Sequence, residues 1–212
     1  NFGRDPGLER IDGAPERHEL GVSVPGLSDE RPFFTEPIRD FSQKSRREDF
    51  AAAIAGSRVP AVANDSTVEQ ASEAVARAHA AFPGWRDTDP LHRSGIVARA
   101  AALMRDRRDE LSGILIRESG KTWREADADV CEAIDFCEYY ARESIGLFRP
   151  DRLGGFIGEL NEQWYQPRGV AAVISPWNFP LAICMGMSVA ALVTGNTVVV
   201  KPAEQTPGIA RV

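Results

Sequence analysis

Two short apolar runs near the end of the sequence constrain its fold more than any other feature. The runs cover residues 170–174 and 197–200, and a longer apolar stretch at 181–193 lies between them, closed by Gly195 and Asn196. Continuous apolar runs are typical of parallel strands that are buried on both faces, and a helix is the usual connection between such strands. The pattern therefore predicts a right-handed βαβ unit, the start of an open, doubly wound parallel sheet.

Residues 46–82 predict two helices and a short strand. Residues 46–55 fit a short helix, and residues 59–63 fit a short strand that ends in a turn. Ser66 and Glu69 form the S-x-x-E pattern of a capping box, so the next helix is expected to begin there. Apolar residues then recur at helical spacing as far as Phe82.

Three further helices are predicted before residue 146. Asp89 can cap a helix with Pro90 in its first turn, and Gly120 can end the next one in the left-handed conformation. The longest helix is expected from about Thr122 to Ile145, because apolar residues keep the helical period without a glycine or proline. The segment ESGKT, which ends at Thr122, resembles the end of a phosphate-binding P-loop. It lacks the motif's first glycine and follows a helix, so helix termination is the better interpretation.

These patterns divide the chain into four parts and give an α/β fold class. Residues 1–31 are expected to be an arm or linker, and 32–150 the mainly helical N-terminal part of a cofactor domain. Residues 151–168 fit one or two extended strands, and 169–212 fit the first βαβ unit of a Rossmann-type sheet, incomplete as it stands.

Composition argues against several function classes. The formal net charge of -6 gives no basic surface for nucleic acid. The longest apolar stretch falls short of the roughly 20 residues that span a bilayer, so no membrane partner is expected. Three cysteines without a CxxC pair and three scattered histidines predict no disulfide framework and no metal site. They fit a reducing location, the cytoplasm or, in a eukaryote, the mitochondrial matrix.

The segment SPWNFP, residues 175–180, follows the first predicted parallel strand, where open α/β sheets bind ligands. Its two prolines stiffen the segment. With Pro180 at the first helical position, Phe179 is the expected N-cap, which leaves the Asn178 amide free to donate to an oxygen that becomes negative in a transition state. An asparagine that serves only a turn is an equally good interpretation.

The segment KPAEQTP, residues 201–207, lies at the matching end of the second strand. Lys201 and Glu204 are therefore expected on the same rim as Asn178. A carboxylate there can accept both hydroxyls of an adenosine ribose and repel a 2'-phosphate, which favours NAD over NADP. The alternative is a solvated lysine and glutamate on a surface loop.

The stretches VISPWNFPLAI and ALVTGNTVVVKPAEQTP together resemble the cofactor-binding signature of the aldehyde dehydrogenase superfamily. The resemblance extends back through AFPGWRDTDPLHRSGIVARAAALM, ESGKTWREADADVCEAIDFCEYYARES and FFTEPIRDFS, so it covers roughly Phe33 to the end. The latter two stretches look most like the L-glutamate gamma-semialdehyde (1-pyrroline-5-carboxylate) dehydrogenases, alone or as a module of a bifunctional proline-utilisation protein.

The resemblance implies NAD as cofactor, an aldehyde as substrate and a role for each matching position. Asn178 is implied to donate to the aldehyde and thiohemiacetal oxygen, and Lys201 and Glu204 to hold the adenosine ribose. Ile174, Pro176 and Trp177 are implied to line the nicotinamide side. The implied cofactor-binding set is Ile174, Ser175, Pro176, Trp177, Lys201, Ala203 and Glu204.

In the glutamate-semialdehyde branch, the acid of EAIDF meets the α-amino group of the substrate, and here that acid is Glu132. Glu132, Phe136 and Tyr139 share one face of the predicted long helix. An exposed helical glutamate is the alternative. Two other functions stay open, which are oxidation of another aldehyde such as succinate semialdehyde and a non-catalytic member of the family.

The resemblance also implies that the catalytic Cys and Glu of the family lie beyond Val212. Cys131, Cys137 and Cys184 are interpreted as packing residues. The chain as printed is therefore expected to be an N-terminal fragment, inactive alone and aggregated or partly unfolded. Residues 155–166 match the family's dimer-bridging strands, so the complete protein is expected to be a dimer-based homo-oligomer.

Overall fold

The computed structural model describes residues 33–212, and the predicted arm at residues 1–31 lies outside that range. The helices are α1 (Lys44–Gly56), α2 (Val68–Arg86), α3 (Pro90–Asp106), α4 (Arg108–Ser119), α5 (Trp123–Leu147), α6 (Ala182–Val193) and a 3-10 helix (Ile209–Arg211). The strands are β1 (Asp151–Arg152), β2 (Glu162–Gln163), β3 (Val170–Ile174) and β4 (Thr197–Lys201). Across residues 33–212, no helix is long and apolar enough to cross a bilayer.

The region around α1 confirms one prediction and corrects another. Helix α1 contains the predicted helix at residues 46–55. The predicted strand at 59–63 is wrong, because these residues pair with no other strand. Val59 packs instead against the backbone at Gly208, where an added Cβ would lie 2.6 Å from Val59 Cγ1. The Val59 side chain therefore packs against a turn of the chain and does not belong to a sheet.

Helix α2 begins one residue later than the predicted capping box. The box is formed by Thr67 and Gln70, since the Gln70 backbone N–H donates to Thr67 Oγ1 and the Thr67 N–H donates to Gln70 Oε1. Both Ser66-x-x-Glu69 and this pair fit the S/T-x-x-E/Q pattern, so the pattern alone does not separate them. The predicted apolar face is also largely uncovered, because Val68 is 78% exposed.

The ends of α3, α4 and α5 confirm the capping predictions. The Asp89 carboxylate accepts the Leu91 N–H at 2.7 Å, and Gly120 ends α4 with a φ of 70°. Thr122 caps α5 in a reciprocal box with Glu125. Helix α5 packs against α3, α4 and α6, and its apolar residues form the centre of the core. The α5 residues with no exposed area include Ala126, Val130, Ala133, Ile134, Cys137 and Ala141.

Strands β1 and β2 form a short antiparallel hairpin, with Asp151 opposite Gln163. This confirms the predicted change from helix to extended structure after Pro150. The loop between the two strands projects apolar side chains, because Phe156 is 71% exposed and Ile157 is fully exposed. The hairpin is thus held by backbone pairing and not by a core of its own.

The predicted βαβ unit is confirmed. Strands β3 and β4 are parallel, and α6 connects them. Part of the apolar surface of the two strands is exposed, as expected where most of a parallel sheet is missing, since Ile174 is 66% exposed and Val200 40% exposed, while Val173 is buried. Within residues 33–212 the parallel sheet has only these two strands, so its outer edges and part of one face have no covering element.

Candidate functional site

The site lies where the C-terminal ends of β3 and β4 meet. The register pairs Ile174 with Lys201, so the loops that follow the two strands leave from the same rim of the sheet. The Ser175 N–H donates to the Lys201 carbonyl at 3.1 Å, which continues the ladder into the loop. The Thr206 hydroxyl donates to the Trp177 carbonyl at 3.4 Å. The two loops are therefore tied to each other, and we call their shared edge the strand-end rim.

The residues of the proposed cofactor set divide by exposure. Ser175 and Ala203 are buried and form the floor of the rim. Trp177 is 58% exposed, and Lys201 and Glu204 are exposed on the second loop. The remaining members, Ile174 and Pro176, lie at the mouth of the first loop, exposed and half-buried respectively. The buried residues and the exposed side chains of the set thus lie along the same strand-end rim.

The charged side chains of the second loop make only local contacts. Lys201 Nζ donates to the neighbouring Pro202 carbonyl, and Glu204 Oε1 accepts from Gln205 at 3.4 Å. Contacts of this kind on an exposed surface are weak and exchange easily with a ligand. Lys201 and Glu204 are therefore free to meet a hydroxyl or a phosphate.

Asn178 is exposed at the middle of the first loop, and within residues 33–212 its side chain makes no hydrogen bond. The predicted helix start beside it is wrong. Helix α6 begins at Ala182, with Leu181 as the N-cap, so Pro180 is not its first residue and Phe179 does not cap it. Asn178 is thus separated from the helix by three loop residues.

The late start of α6 has a cause on another helix. The carboxylate of Asp129 on α5 accepts the Ala182 N–H at 2.7 Å and so supplies the cap that the loop itself lacks. Asp129 has no exposed area, and burial raises its pKa while Lys121 opposes that rise. Lys121 Nζ lies 3.1 Å from Asp129 Oδ2 and 4.2 Å from the centre of the Phe179 ring.

Sequence reasoning missed Lys121 and Asp129. Asp129 lies within a helical stretch that alternates acids and apolar residues, where no motif distinguishes it. Lys121 lies in a segment that resembles the end of a P-loop. The usable signal was that Asp129 lies three residues after Ala126 and one before Val130, on the apolar face of α5. A carboxylate in that position needs a specific partner, because burial without one is costly.

Glu132 lies one turn after Asp129 on α5 and is half-buried. Its pKa is raised, first by burial and then by the Asp129 charge, whereas the Lys121 charge lowers it. Because residues three apart on a helix are neighbours, Glu132 lies next to Asp129, whose pair with Lys121 holds the first loop of the rim. Within residues 33–212, the Glu132 side chain forms no hydrogen bond or ion pair.

The aromatic residues near Glu132 differ in part from the predicted set. Phe136 packs so closely on α6 that a Cβ at Gly186 would lie 2.9 Å from its ring, and Tyr140 stacks on it at 5.7 Å. The predicted neighbour Tyr139 lies edge-on against Tyr140 at 5.6 Å and also against Phe33 at 5.5 Å. Tyr140 was not named from the sequence, because one residue along a helix changes direction by about 100°.

A second carboxylate, Glu118 near the end of α4, holds the loop after β4. Its two oxygens accept the Gly208 N–H at 2.6 Å and the Ile209 N–H at 2.9 Å. Glu118 and Lys121 both belong to the ESGKT segment. That segment ends α4 as predicted, and it also contacts both loops of the strand-end rim.

The cysteines in residues 33–212 are not prepared to act as nucleophiles. Cys131, Cys137 and Cys184 are all buried, as expected for packing residues. Burial raises the pKa of Cys131 and of Cys137 to about 12, so both stay protonated at neutral pH. Burial also raises the pKa of Cys184. This part of the chain has no cluster of three potential metal-binding side chains.

Comparisons with known proteins agree on one family. The sequence model described as "Aldehyde dehydrogenase family" matches residues 42–212. The chain is 40% identical over 212 residues to "1-pyrroline-5-carboxylate dehydrogenase 1" of Halalkalibacterium halodurans, covering 85% of this chain and 41% of that protein. It is 53% identical over 140 residues to a 1-pyrroline-5-carboxylate dehydrogenase of Anoxybacillus flavithermus, covering 66% of this chain and 27% of the relative.

Solved structures give the same result. Proline utilization A from Bdellovibrio bacteriovorus superposes with a TM-score of 0.80 at 38% identity, over 86% of this chain and 22% of that one. The 1-pyrroline-5-carboxylate dehydrogenase from Thermus with bound NAD has a TM-score of 0.78 at 36% identity, over 86% and 42%. The chain thus spans less than half the length of the proteins it resembles. With the family match over most of its length, the chain belongs to the aldehyde dehydrogenase family.

Proposed function

We propose that the whole protein that contains this chain oxidises L-glutamate gamma-semialdehyde to L-glutamate with NAD, as a step of proline catabolism. The observation that carries the proposal is the position of Glu132. Its carboxylate lies beside the Asp129–Lys121 pair, which contacts the loop of Asn178. One end of an amino-bearing aldehyde can then meet Glu132 while its carbonyl oxygen meets Asn178. The names of the relatives support this substrate.

Asn178 is proposed as the donor to the carbonyl oxygen. Attack of a thiolate on the aldehyde places a negative charge on that oxygen, and a preorganised amide N–H stabilises the charge. The Asn178 side chain is exposed and makes no hydrogen bond within residues 33–212, so it needs to break none to donate. The buried thiols of the chain do not provide the nucleophile, and the proposal assigns nucleophile and general base to other residues of the whole protein.

The strand-end rim fits the adenosine half of NAD, and the nicotinamide half of NAD accepts the hydride when the cofactor is bound. Glu204 and Lys201 project from the second loop, where a carboxylate can accept both ribose hydroxyls. Ile174, Pro176 and Trp177 supply an apolar wall beside Asn178. A Thermus relative binds NAD in its crystal structure. A 2'-phosphate would meet the Glu204 charge, so NADP is the weaker ligand in this proposal.

Two further parts of the proposal concern assembly and location. The hairpin of β1 and β2 exposes a run of large apolar side chains, which favours a dimer-based homo-oligomer in which they are covered. This run includes Leu153, Phe156, Ile157, Leu160, Trp164 and Tyr165. The three free cysteines fit a reducing compartment such as the cytoplasm.

The test compares two aldehydes in the whole protein after the change Glu132→Ala. A charge-assisted hydrogen bond to an ammonium group contributes enough that its loss should lower kcat/KM for L-glutamate gamma-semialdehyde about 10- to 100-fold. Succinate semialdehyde lacks the amine, so its kcat/KM should change less than about threefold. Glu143→Ala is the matched control, because Glu143 is an exposed glutamate on the same helix.

Equal losses for both aldehydes would contradict an ammonium-binding role for Glu132. A wild-type protein that prefers succinate semialdehyde would support oxidation of another aldehyde. If the wild-type protein forms no NADH with either aldehyde, the non-catalytic alternative stands.

A further inference from the structure

Lys121 lies in the turn between α4 and α5, and only a small part of its side chain is exposed. Its ammonium group lies between two partners, the Asp129 carboxylate at 3.1 Å and the face of the Phe179 ring at 4.2 Å from the centroid. The side chain is 10% exposed. A cation over an aromatic face is attracted by the ring quadrupole, and the attraction grows as water is excluded. One side chain thus joins α5 to the loop of Asn178.

Asp129 holds the same loop at its other end. Its Oδ1 accepts the Ala182 N–H, so it fixes the first turn of α6, while its Oδ2 faces Lys121. A carboxylate at a helix N-terminus is also favoured by the helix dipole. The segment from Phe179 to Ala182 is therefore tethered at both ends to a single ion pair.

Asn178 immediately precedes this tethered segment, and within residues 33–212 its own side chain has no hydrogen bond that would hold it. Its position is consequently set by its neighbours. We propose that Lys121, acting through Phe179 and Asp129, is the positioning residue that aims the Asn178 amide at the carbonyl oxygen of the substrate. The inference rests on the proposed function of Asn178.

The same ammonium group acts on the proposed ammonium-binding residue. Asp129 and Glu132 are two carboxylates one helical turn apart, and Lys121 is the positive charge that opposes their repulsion. Without Lys121, Glu132 would become harder to ionise. Removal of one side chain should therefore disturb both ends of the proposed substrate site, the oxyanion donor and the carboxylate.

The test replaces Lys121 with Met in the whole protein and compares it with Arg142→Met. The control is matched, because Arg142 is 13% exposed and pairs at 2.6 Å with Glu138, a carboxylate without exposed area, near the far end of α5. Each change leaves its carboxylate one other partner, the Ala182 N–H for Asp129 and Arg105 for Glu138. The two variants differ mainly in whether the lost ion pair touches the Asn178 loop.

The expected result for Lys121→Met is a fall in kcat of about 10- to 100-fold, since a small misplacement of a reacting group has effects of this size. The dissociation constant for NAD should change less than about threefold, because the second loop is held separately by Glu118. The acidic limb of the pH profile for the amino aldehyde should move to higher pH, because the pKa of Glu132 rises when Lys121 is removed. Lys121→Arg should restore most of kcat, as guanidinium also stacks on rings and pairs with carboxylates.

Hydrogen exchange supplies a readout that is independent of turnover. In Lys121→Met the amides of Ala182 to Cys184 should exchange faster than in Arg142→Met, which distinguishes failure of the tether from failure of the proposed substrate. If the wild-type protein prefers another aldehyde, the comparison of kcat is made with that aldehyde. Equal losses of kcat in both variants, or no rescue by Lys121→Arg, would overturn the proposal.

If Lys121→Met does not fold, a second variant keeps the proposal testable. Lys121→Met combined with Asp129→Asn removes both charges, and neutral replacement of a buried ion pair is often tolerated. The asparagine oxygen can still accept the Ala182 N–H. This variant loses the ion pair and the contact of the cation with Phe179 but leaves no unpaired buried charge and keeps the acceptor for the Ala182 N–H, so a smaller fall in kcat with normal exchange at Ala182 is expected. An unchanged kcat would count against Lys121 as a positioning residue.

Discussion

Glu132 and Glu138 are six residues apart on α5 and have opposite surroundings. Glu138 has no exposed area, and its carboxylate pairs at 2.6 Å with both Arg105 and Arg142. Glu132 is half-buried and forms no ion pair within residues 33–212. The same amino acid on the same helix thus forms two ion pairs at one place and, within residues 33–212, none at the other.

The two glutamates belong to two regions with the same contrast. Glu138 is part of a buried ion-pair cluster that joins the segment before α1 to α3, α4 and α5. Its members are Glu36, Arg39, Arg105, Arg108, Asp127, Glu138 and Arg142. The strand-end rim carries Asn178, Lys201 and Glu204, whose side chains have no partner or only local ones within residues 33–212. Removal of one partner of a buried ion pair destabilises a fold, whereas an unsatisfied polar group at a rim is available to a ligand.

The largest expected effect is on stability, from Glu138→Ala. The change leaves Arg105 and Arg142 without their shared carboxylate, and breaking a buried ion pair by removing one partner costs about 3–5 kcal/mol. Glu132→Ala should change stability by less than about 0.5 kcal/mol, since it breaks no ion pair. Chemical unfolding of the two variants of the whole protein measures the difference. Similar losses in the free energy of unfolding would show that the ion pairs of Glu138 contribute no more to stability than the side chain of Glu132 does.

The next largest effect is on catalysis, from Asn178→Ala. Removal of a single oxyanion donor lowers kcat about 10²- to 10³-fold, and the free energy of unfolding should stay within about 0.5 kcal/mol because the side chain is exposed. Steady-state kinetics and an unfolding curve on the same preparation check both parts. If the variant keeps its kcat, Asn178 serves only the turn and is not the oxyanion donor.

The sequence predicted the βαβ unit and most helix ends because the signals are local. Gly120 and Asp89 act through their own neighbours, and the apolar period of α5 is contained in the helix itself. The start of α6 could not be predicted in this way. Its cap comes from Asp129, which is 53 residues away from the amide it accepts, and no local pattern reports that distance.

For the same reason, the sequence predicted the site residues at the strand ends but not those that depend on tertiary packing. Asn178, Lys201 and Glu204 follow strand ends, and the register of a parallel pair brings strand ends together without further information. Lys121 contacts the loop of Asn178 only because α5 packs against α6, which is a tertiary event. The capping box of α2 was ambiguous by one residue, because Ser66 and Thr67 start equally good patterns.

The smallest expected effect concerns Asp135, a carboxylate of α5 that contacts the ion-pair cluster through the backbone of Glu36. Asp135 Oδ1 accepts the Glu36 N–H at 2.6 Å, but burial raises its pKa to about 6, with Glu36 and Glu138 adding to that rise and Arg105 opposing it. A carboxyl whose folded pKa exceeds the unfolded value of 3.8 contributes stability that is present at low pH and is lost as pH rises through about 6.

Asp135→Asn keeps the acceptor for the Glu36 N–H and removes the charge. At pH 7 the variant should therefore be more stable than the wild type by about 1 kcal/mol, a value discounted for partial exposure, and the gain should vanish near pH 4. Unfolding of both proteins across that pH range measures it. A variant that is less stable at pH 7 would mean that the Asp135 charge is satisfied by the ion-pair cluster.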